Sequence, residues 1–226
     1  MAIEIITTSD GSHSLLNTQL NETYHSVHGA IRESIHVFIN KGFELVIDRD
    51  HPKEIHILEI GFGTGLNALL TLQKSLAISV KVFYTTVETF PLAEDVWSKL
   101  NYTETLGSRE YFEKIHHAPW MQWQEITPNF QLFKINGTLQ QTSFPDNKYD
   151  LIYFDAFAPN KQPEMWEVDV LKKVTDHLNV NGVFVTYCAK GQLKRDLKSL
   201  GLEVETLEGP PGKKEMVRGT FSRSTI

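Results

Sequence analysis

One cysteine, Cys188, is all the sulfur chemistry of its kind that the 226-residue chain contains. An internal disulfide framework and a thiolate metal cage are thereby excluded, and a reducing compartment is the natural setting. No apolar run is long enough to span a bilayer, and the opening residues MAIEIITTSDG lack the basic region of an export signal, so the expected location is the cytoplasm, with no membrane partner. Positive charge is also scarce: 22 basic residues stand against 28 acidic ones, a net charge of -6, which argues against a protein that coats nucleic acid over its whole surface. The nine histidines do not compensate for the missing cysteines, since the closest pairs, His25 with His28 and His116 with His117, have no carboxylate or thiolate at a ligand spacing. No metal is expected. Linkers, repeats and low-complexity stretches are absent too, so 41% hydrophobic and 22% charged residues predict one globular domain over 1–226.

What is present is an alternation of strand and helix signals. Residues Ile3 to Leu16 read as a hairpin about the turn Ser9-Asp10-Gly11-Ser12, and Ile31, Ile35, Phe38 and Ile39 predict a helix from Gly29 to Lys41, stopped by Gly42. These form an N-terminal extension, residues 1–50. From 51 to 226 the predicted order is strand 55–60, helix 65–76, strand 80–87, helix 91–100, a helical run near 108–116, strands 130–135 and 149–154, helix 164–178, strand 182–187 and helix 190–200. Two last strands, 202–207 and 215–221, flank Gly209-Pro210-Pro211-Gly212 and read as an antiparallel hairpin. Apolar strands separated by helices imply a mostly parallel, doubly wound α/β sheet of Rossmann type, here with seven strands.

Three glycines, Gly61, Gly63 and Gly65, follow the first core strand within Glu59-Ile60-Gly61-Phe62-Gly63-Thr64-Gly65-Leu66-Asn67. A loop of this kind at a helix start lets a ligand approach the backbone closely. Leu66 stands where a dinucleotide fingerprint has its last glycine, which disfavours a nicotinamide cofactor. Glu88 ends the second strand, where a carboxylate can accept hydrogen bonds from both hydroxyls of a ribose. Together the loop, Glu59 before it, Asn67 after it and Glu88 beyond resemble the first two motifs of class I S-adenosylmethionine methyltransferases. The cofactor implied is S-adenosylmethionine. Asn136, in Asn136-Gly137-Thr138 after the third strand, stands where such enzymes commonly carry an acid near the adenine, and its side chain is the substitute contact.

Beyond the fourth strand lies Asp155-Ala156-Phe157-Ala158-Pro159-Asn160-Lys161-Gln162-Pro163-Glu164-Met165-Trp166. With Tyr24-His25-Ser26 near the start and Gly212-Lys213-Lys214-Glu215-Met216 near the end, it resembles the tRNA 5-aminomethyl-2-thiouridine methyltransferase family, the methyltransferase part of MnmC that also occurs free-standing as MnmD. The resemblance implies methylation of the aminomethyl nitrogen on the wobble uridine of a tRNA anticodon. No second glycine fingerprint follows, so no flavin is expected, and the aminomethyl group must come from an upstream enzyme.

Asp155, at a strand tip, is suited to accept a hydrogen bond from the attacking amine and meet the charge that develops there. Phe157 and Trp166 are equally suited to stack on an extruded base or to fill the core. Tyr24 takes a place over the methionine end of the cofactor from the resemblance alone. Between Lys190 and the C-terminus, eight basic residues against five acidic ones form the single basic region; Lys190, Lys194, Lys213, Lys214 and Arg218 are its candidate phosphate contacts. Two other readings stay open: methylation of a small amine, and a cofactor- or RNA-binding module without catalysis.

Overall fold

Hydrogen bonding in a computed structural model, which describes residues 3–145 and 148–222, sorts the strands into two sheets. The smaller one, N-terminal, is antiparallel and joins β1 (Ile3–Thr7), β2 (His13–Asn17) and β3 (Glu22–Thr23). Its hairpin turn does more than reverse the chain. One oxygen of Asp10 accepts the Ser12 amide at 3.0 Å and the other accepts the Arg32 amide at 3.1 Å, so the turn also holds the start of the next helix. The hairpin expected over 3–16 is present, and β3 is an added strand.

Helical turns run unbroken from 30 to 50: α1 (Ala30–Ser34), a π-helical stretch Ile35–Phe43, and α2 (Glu44–Asp50). Gly42 does not stop the helix as its residue type suggested. A β-carbon there would lie 3.1 Å from Val185 and 3.3 Å from Tyr153, so the glycine lets this wide helix settle directly on the sheet.

The large sheet has eight strands, not seven, in the order β10-β11-β9-β8-β4-β5-β7-β6. Its parallel centre is β4 (Glu54–Ile60), β5 (Lys81–Glu88), β7 (Phe130–Asn136), β8 (Tyr149–Phe154) and β9 (Leu178–Thr186). At one edge β11 (Glu215–Phe221) returns antiparallel between β9 and β10 (Leu202–Glu208), as the glycine-proline turn implied. At the other edge sits the strand that periodicity missed, β6 (Trp123–Thr127), whose first three residues are exposed and which pairs antiparallel with β7. An edge strand whose one buried apolar residue is Ile126 carries little pattern to detect.

One apolar cluster fills the side of the sheet under the π-helix, α3 (Leu66–Ile78) and α6 (Arg109–His117), and a second lies under α7 (Val168–Thr175) and α8 (Gly191–Ser199). The helix expected over 91–100 contracts to α4 (Glu94–Trp97), and a short α5 (Tyr102–Leu106) follows. The helix expected over 164–178 is split into a 3-10 turn, Pro163–Trp166, and α7, because Glu167 between them is extended. Strand order reverses between β4 and β8. In a doubly wound sheet the crevice at the carboxyl ends of two such strands is where ligands sit.

Candidate functional site

At that crevice the exits of β4 and β8 touch. The Asp155 amide donates to the Ile60 carbonyl at 2.9 Å, and Gly61 turns the chain away with φ +93. A β-carbon on Gly61 would come 2.7 Å from the Asp155 carbonyl oxygen, a distance that backbone cannot yield, so both the conformation and the space require glycine. Glu88, the last residue of β5, ties the loop from the other side. Its Oε2 accepts the Gly63 amide at 2.9 Å and its Oε1 the Phe90 amide at 2.8 Å. Each carboxylate oxygen retains a lone pair, so the same group can still accept from a ligand's hydroxyls.

A cavity of ≈ 360 Å³ opens over this loop. Gly61, Gly63, Glu88 and Asp155 form its polar floor, while Ile60, Val87 and Leu139 give it an apolar wall. The N-terminal extension supplies the roof. Tyr24 lies with a ring carbon 3.2 Å from where a Gly63 β-carbon would be, and its ring meets Phe157 edge-on with centroids 5.0 Å apart. Burial, with the charge of Glu88 adding to it, pushes the Tyr24 phenol well above its usual range, so it stays neutral.

Several lining residues owe their roles to partners distant in sequence. His25 is buried, and its Nε2 meets Thr64 Oγ1 at 2.8 Å, which fastens the roof to the glycine loop; burial lowers the imidazole to about 4. Glu33 on α1 is buried too, accepting the Ser26 amide at 2.6 Å and Lys213 Nζ at 2.5 Å. Lys213 in turn lies 3.8 Å from the centroid of the Tyr187 ring. Glu33 and Lys213 are 180 positions apart, so spacing could not have coupled them. Burial, reinforced by the negative charge of Glu33, pushes Asp155 up to about 7, against the hydrogen bond from Asn67 and the charge of Lys213.

The candidates read from sequence thus divide. Tyr24, Gly61, Gly63, Glu88, Asp155, Phe157 and Lys213 converge on the cavity. Glu59, Gly65 and Asn67 do not reach its wall. Glu59 is fully buried and accepts Thr86 Oγ1 at 2.7 Å; Asn67 is buried and donates to Asp155 at 2.9 Å; Gly65 backs onto His116 and Phe62. They support the loop from below. Asn136 is exposed and faces a neighbouring groove with Phe90, Pro91 and Ile3. Of the two options for Trp166 the structure takes the core: the side chain is buried, its Nε1 donates to the Phe157 carbonyl at 2.8 Å, and its ring packs on Phe154. Lys214 is exposed outside the cavity. Three of the five candidate phosphate contacts are already paired, Lys194 with Glu215, Lys213 with Glu33 and Arg218 with Glu205. Arg223, the last of the eight basic residues counted from Lys190, lies outside the described residues. Among the described residues, no group of three or more His, Cys, Asp or Glu side chains is placed to hold a metal, and no helix is long and apolar enough to cross a membrane.

A glycine loop whose Gly61 has no room for a β-carbon, an acid at the end of the second parallel strand and a carboxylate facing them suit an adenosyl ligand with a positively charged centre. Residues 102–222 match the family model of S-adenosyl-L-methionine-dependent methyltransferases, over half of the chain. The chain belongs to that family. As such a methyltransferase it is 29% identical, over 92% of its length, to the tRNA 5-methylaminomethyl-2-thiouridine biosynthesis bifunctional protein MnmC of Leptospira borgpetersenii, and 30% identical, over 93%, to the protein of that name from Leptospira interrogans. The methyltransferase spans about a third of those relatives, 33% and 34% of their lengths. It also superposes on the crystal structure of MNMC2 from Aquifex aeolicus with a TM-score of 0.82 and 25% identity, covering 99% of this chain and 71% of that one.

Proposed function

We propose that this methyltransferase acts on the aminomethyl nitrogen of the wobble uridine in a tRNA anticodon, giving 5-methylaminomethyl-2-thiouridine, and that it works in the cytoplasm. The observation that carries the reading is the placement of Asp155 in one cavity with the glycine loop and Glu88. The name shared by the relatives, which specifies tRNA and this nucleoside, supplies the substrate. In this reading 1–50 is the extension that roofs the site and 51–226 is the core of one methyltransferase domain.

S-adenosylmethionine, when bound, supplies an electrophilic methyl group. Gly61 and Gly63 let it approach the backbone, and Glu88 accepts from its ribose hydroxyls. Tyr24 closes over its methionine end. Asp155 accepts a hydrogen bond from the neutral amine, aims the nitrogen lone pair at the methyl, and takes the proton that the nitrogen loses once it has acquired a fourth bond. Phe157, half-buried at the rim, stacks on the extruded base, while exposed Lys190 and Lys214 meet phosphates.

The experiment offers labelled S-adenosylmethionine to bulk tRNA lacking the modification, beside an extract of small amines. Label in the wobble nucleoside is the expected result. Label in a small amine with none in tRNA would reassign the substrate, and label in neither would leave a binding module.

A further inference from the structure

The cavity has a second charged region, across the strand order from Glu88. Glu88 ends β5, one strand beyond β4, whereas Tyr187 follows β9 and Lys213 precedes β11, on the far side of β8. There Lys213 Nζ donates to Glu33 Oε1 at 2.5 Å and lies 3.8 Å from the centroid of the Tyr187 ring. Both members of the pair line the cavity, the Glu33 side chain 6% exposed and that of Lys213 33%. Neither is saturated. An ammonium has three donors, of which the Glu33 contact uses one, and each Glu33 oxygen has a single donor, Lys213 on Oε1 and the Ser26 amide on Oε2.

Taking two charges out of water costs about as much as their attraction returns, so such a pair is weak evidence of a device for stability. As a ligand site it fits one chemistry. Lys213 offers a donor to a carboxylate and Glu33 an acceptor to an ammonium, the two charges of a free α-amino acid. S-adenosylmethionine ends in that group. With the ribose hydroxyls at Glu88, the adenosyl part takes the β5 side of the cavity, which leaves the side beyond β8 for the amino-acid end. Lys213 is also the only lysine or arginine among the described residues that line the cavity, hence the one such cation open to a carboxylate there. We propose that Glu33 and Lys213 form the subsite for the amino-acid end of S-adenosylmethionine, with its ammonium on Glu33 and its carboxylate on Lys213. The inference rests on the ribose placement given above for Glu88; the identity of the methyl acceptor does not enter it.

The pair is fixed before a ligand arrives. Glu33 is tied to the roof through the Ser26 amide, and the neighbouring His25 fastens the same roof to Thr64 of the glycine loop. The turn that carries Lys213 packs on the roof as well, because Gly212, with φ +86, abuts the His28 ring so closely that a β-carbon there would collide with it. Lys213 and Glu33 are thus held from opposite ends of the chain, and little ordering is left for binding to accomplish. Asp155 senses both, Glu33 opposing its ionisation and Lys213 favouring it, which places the pair beside the acid that faces the methyl group. A bound zwitterion sets each of its charges against the opposite one and adds no net charge to a desolvated site.

Calorimetry tests this without turnover or tRNA, using S-adenosylhomocysteine, its decarboxylated form, which keeps the ammonium, and 5′-methylthioadenosine, which lacks both charges. Wild type should bind S-adenosylhomocysteine about tenfold or more tightly than either of the others, and equal affinities would overturn the proposal before any variant is made. Lys213→Met should weaken S-adenosylhomocysteine by about 10- to 100-fold yet bind the decarboxylated form at least as well as wild type, since its ammonium then meets a Glu33 with no competing cation. Glu33→Gln should do the reverse, weakening the decarboxylated form most, because its ammonium then meets Lys213 alone. Both variants should leave 5′-methylthioadenosine unchanged. Equal losses for all three ligands would reduce the pair to a support of the cavity, and unchanged ligand affinities with weaker tRNA binding would give Lys213 to a phosphate. Loss of the ammonium-bearing ligands in Asp155→Asn but not in Glu33→Gln would move the ammonium to Asp155. Any of these three results overturns the subsite. Glu88→Ala should weaken all three ligands alike, which separates an error in the ribose placement from an error in the pair.

Discussion

The carbonyl oxygen of Asp155 and the α-carbon of Gly61 are so close that a methyl group on Gly61 would sit 2.7 Å from that oxygen. The glycine that shapes the binding loop and the acid that faces it are therefore held by one backbone contact. Gly61→Ala should destabilise the fold by about 1 to 3 kcal/mol, through the steric conflict and the positive φ together, and should abolish cofactor binding. Denaturant melts and calorimetry on the same preparation check both, and wild-type values in each would break the link between the loop and the site.

Glu88 has two tasks, bracing the Gly63 and Phe90 amides and receiving a ribose. Glu88→Ala should weaken S-adenosylmethionine binding by about 1.5 to 3 kcal/mol, the scale of charge-assisted hydrogen bonds. Calorimetry decides it. An unchanged dissociation constant in a folded variant would remove Glu88 from the binding site.

Asp155→Asn keeps the shape of the side chain and removes its charge. Cofactor binding should persist while kcat falls by about 10² to 10⁴. Raising the pH should restore part of the rate if Asp155 is the proton acceptor, since the amine then arrives neutral more often. Single-turnover rates across pH read this, and full turnover by the variant at saturating tRNA would leave Asp155 with a structural role alone.

Stability should depend on pH through Glu59. Its carboxyl binds a proton more tightly folded than unfolded, being pushed up to about 8, so its favourable contribution is complete below the ordinary carboxylate range and is lost as pH rises through 8. Wild-type Tm should therefore fall as pH rises from the ordinary carboxylate range to about 8 and level off above it, and Glu59→Gln should fall less. Parallel slopes in the two proteins would place the titration elsewhere.

For tRNA, pairing within the protein changes which lysines count. Lys213 is engaged with Glu33 and the Tyr187 ring, whereas Lys190 and Lys214 are exposed. Lys190→Ala and Lys214→Ala should each reduce the slope of log affinity against log salt by about 1. Lys213→Ala should instead disturb the cavity, visible as a change in cofactor affinity. Wild-type slopes in both surface variants would move the docking face.

Local patterns were sufficient for the parallel sheet, the glycine loop, the acid ending β5 and the closing hairpin, because each depends on residues within one turn or one strand of each other. Asp155 was legible for the same reason, standing at a strand tip before a proline-bounded loop. Other assignments needed the third dimension. Gly42 has the composition of a helix stop, but the sheet packed against it makes it a point of close approach. Trp166 is as suitable for a base as for a core until its indole is seen donating to the Phe157 carbonyl. Glu59 stands next to the loop in sequence, yet strand alternation turns it into the interior, where desolvation sets its chemistry. Lys213 reads as surface charge until folding brings it across 180 positions to Glu33. Long-range contact decides burial, and burial decides whether a charged side chain binds a ligand, supports a neighbour or holds a proton.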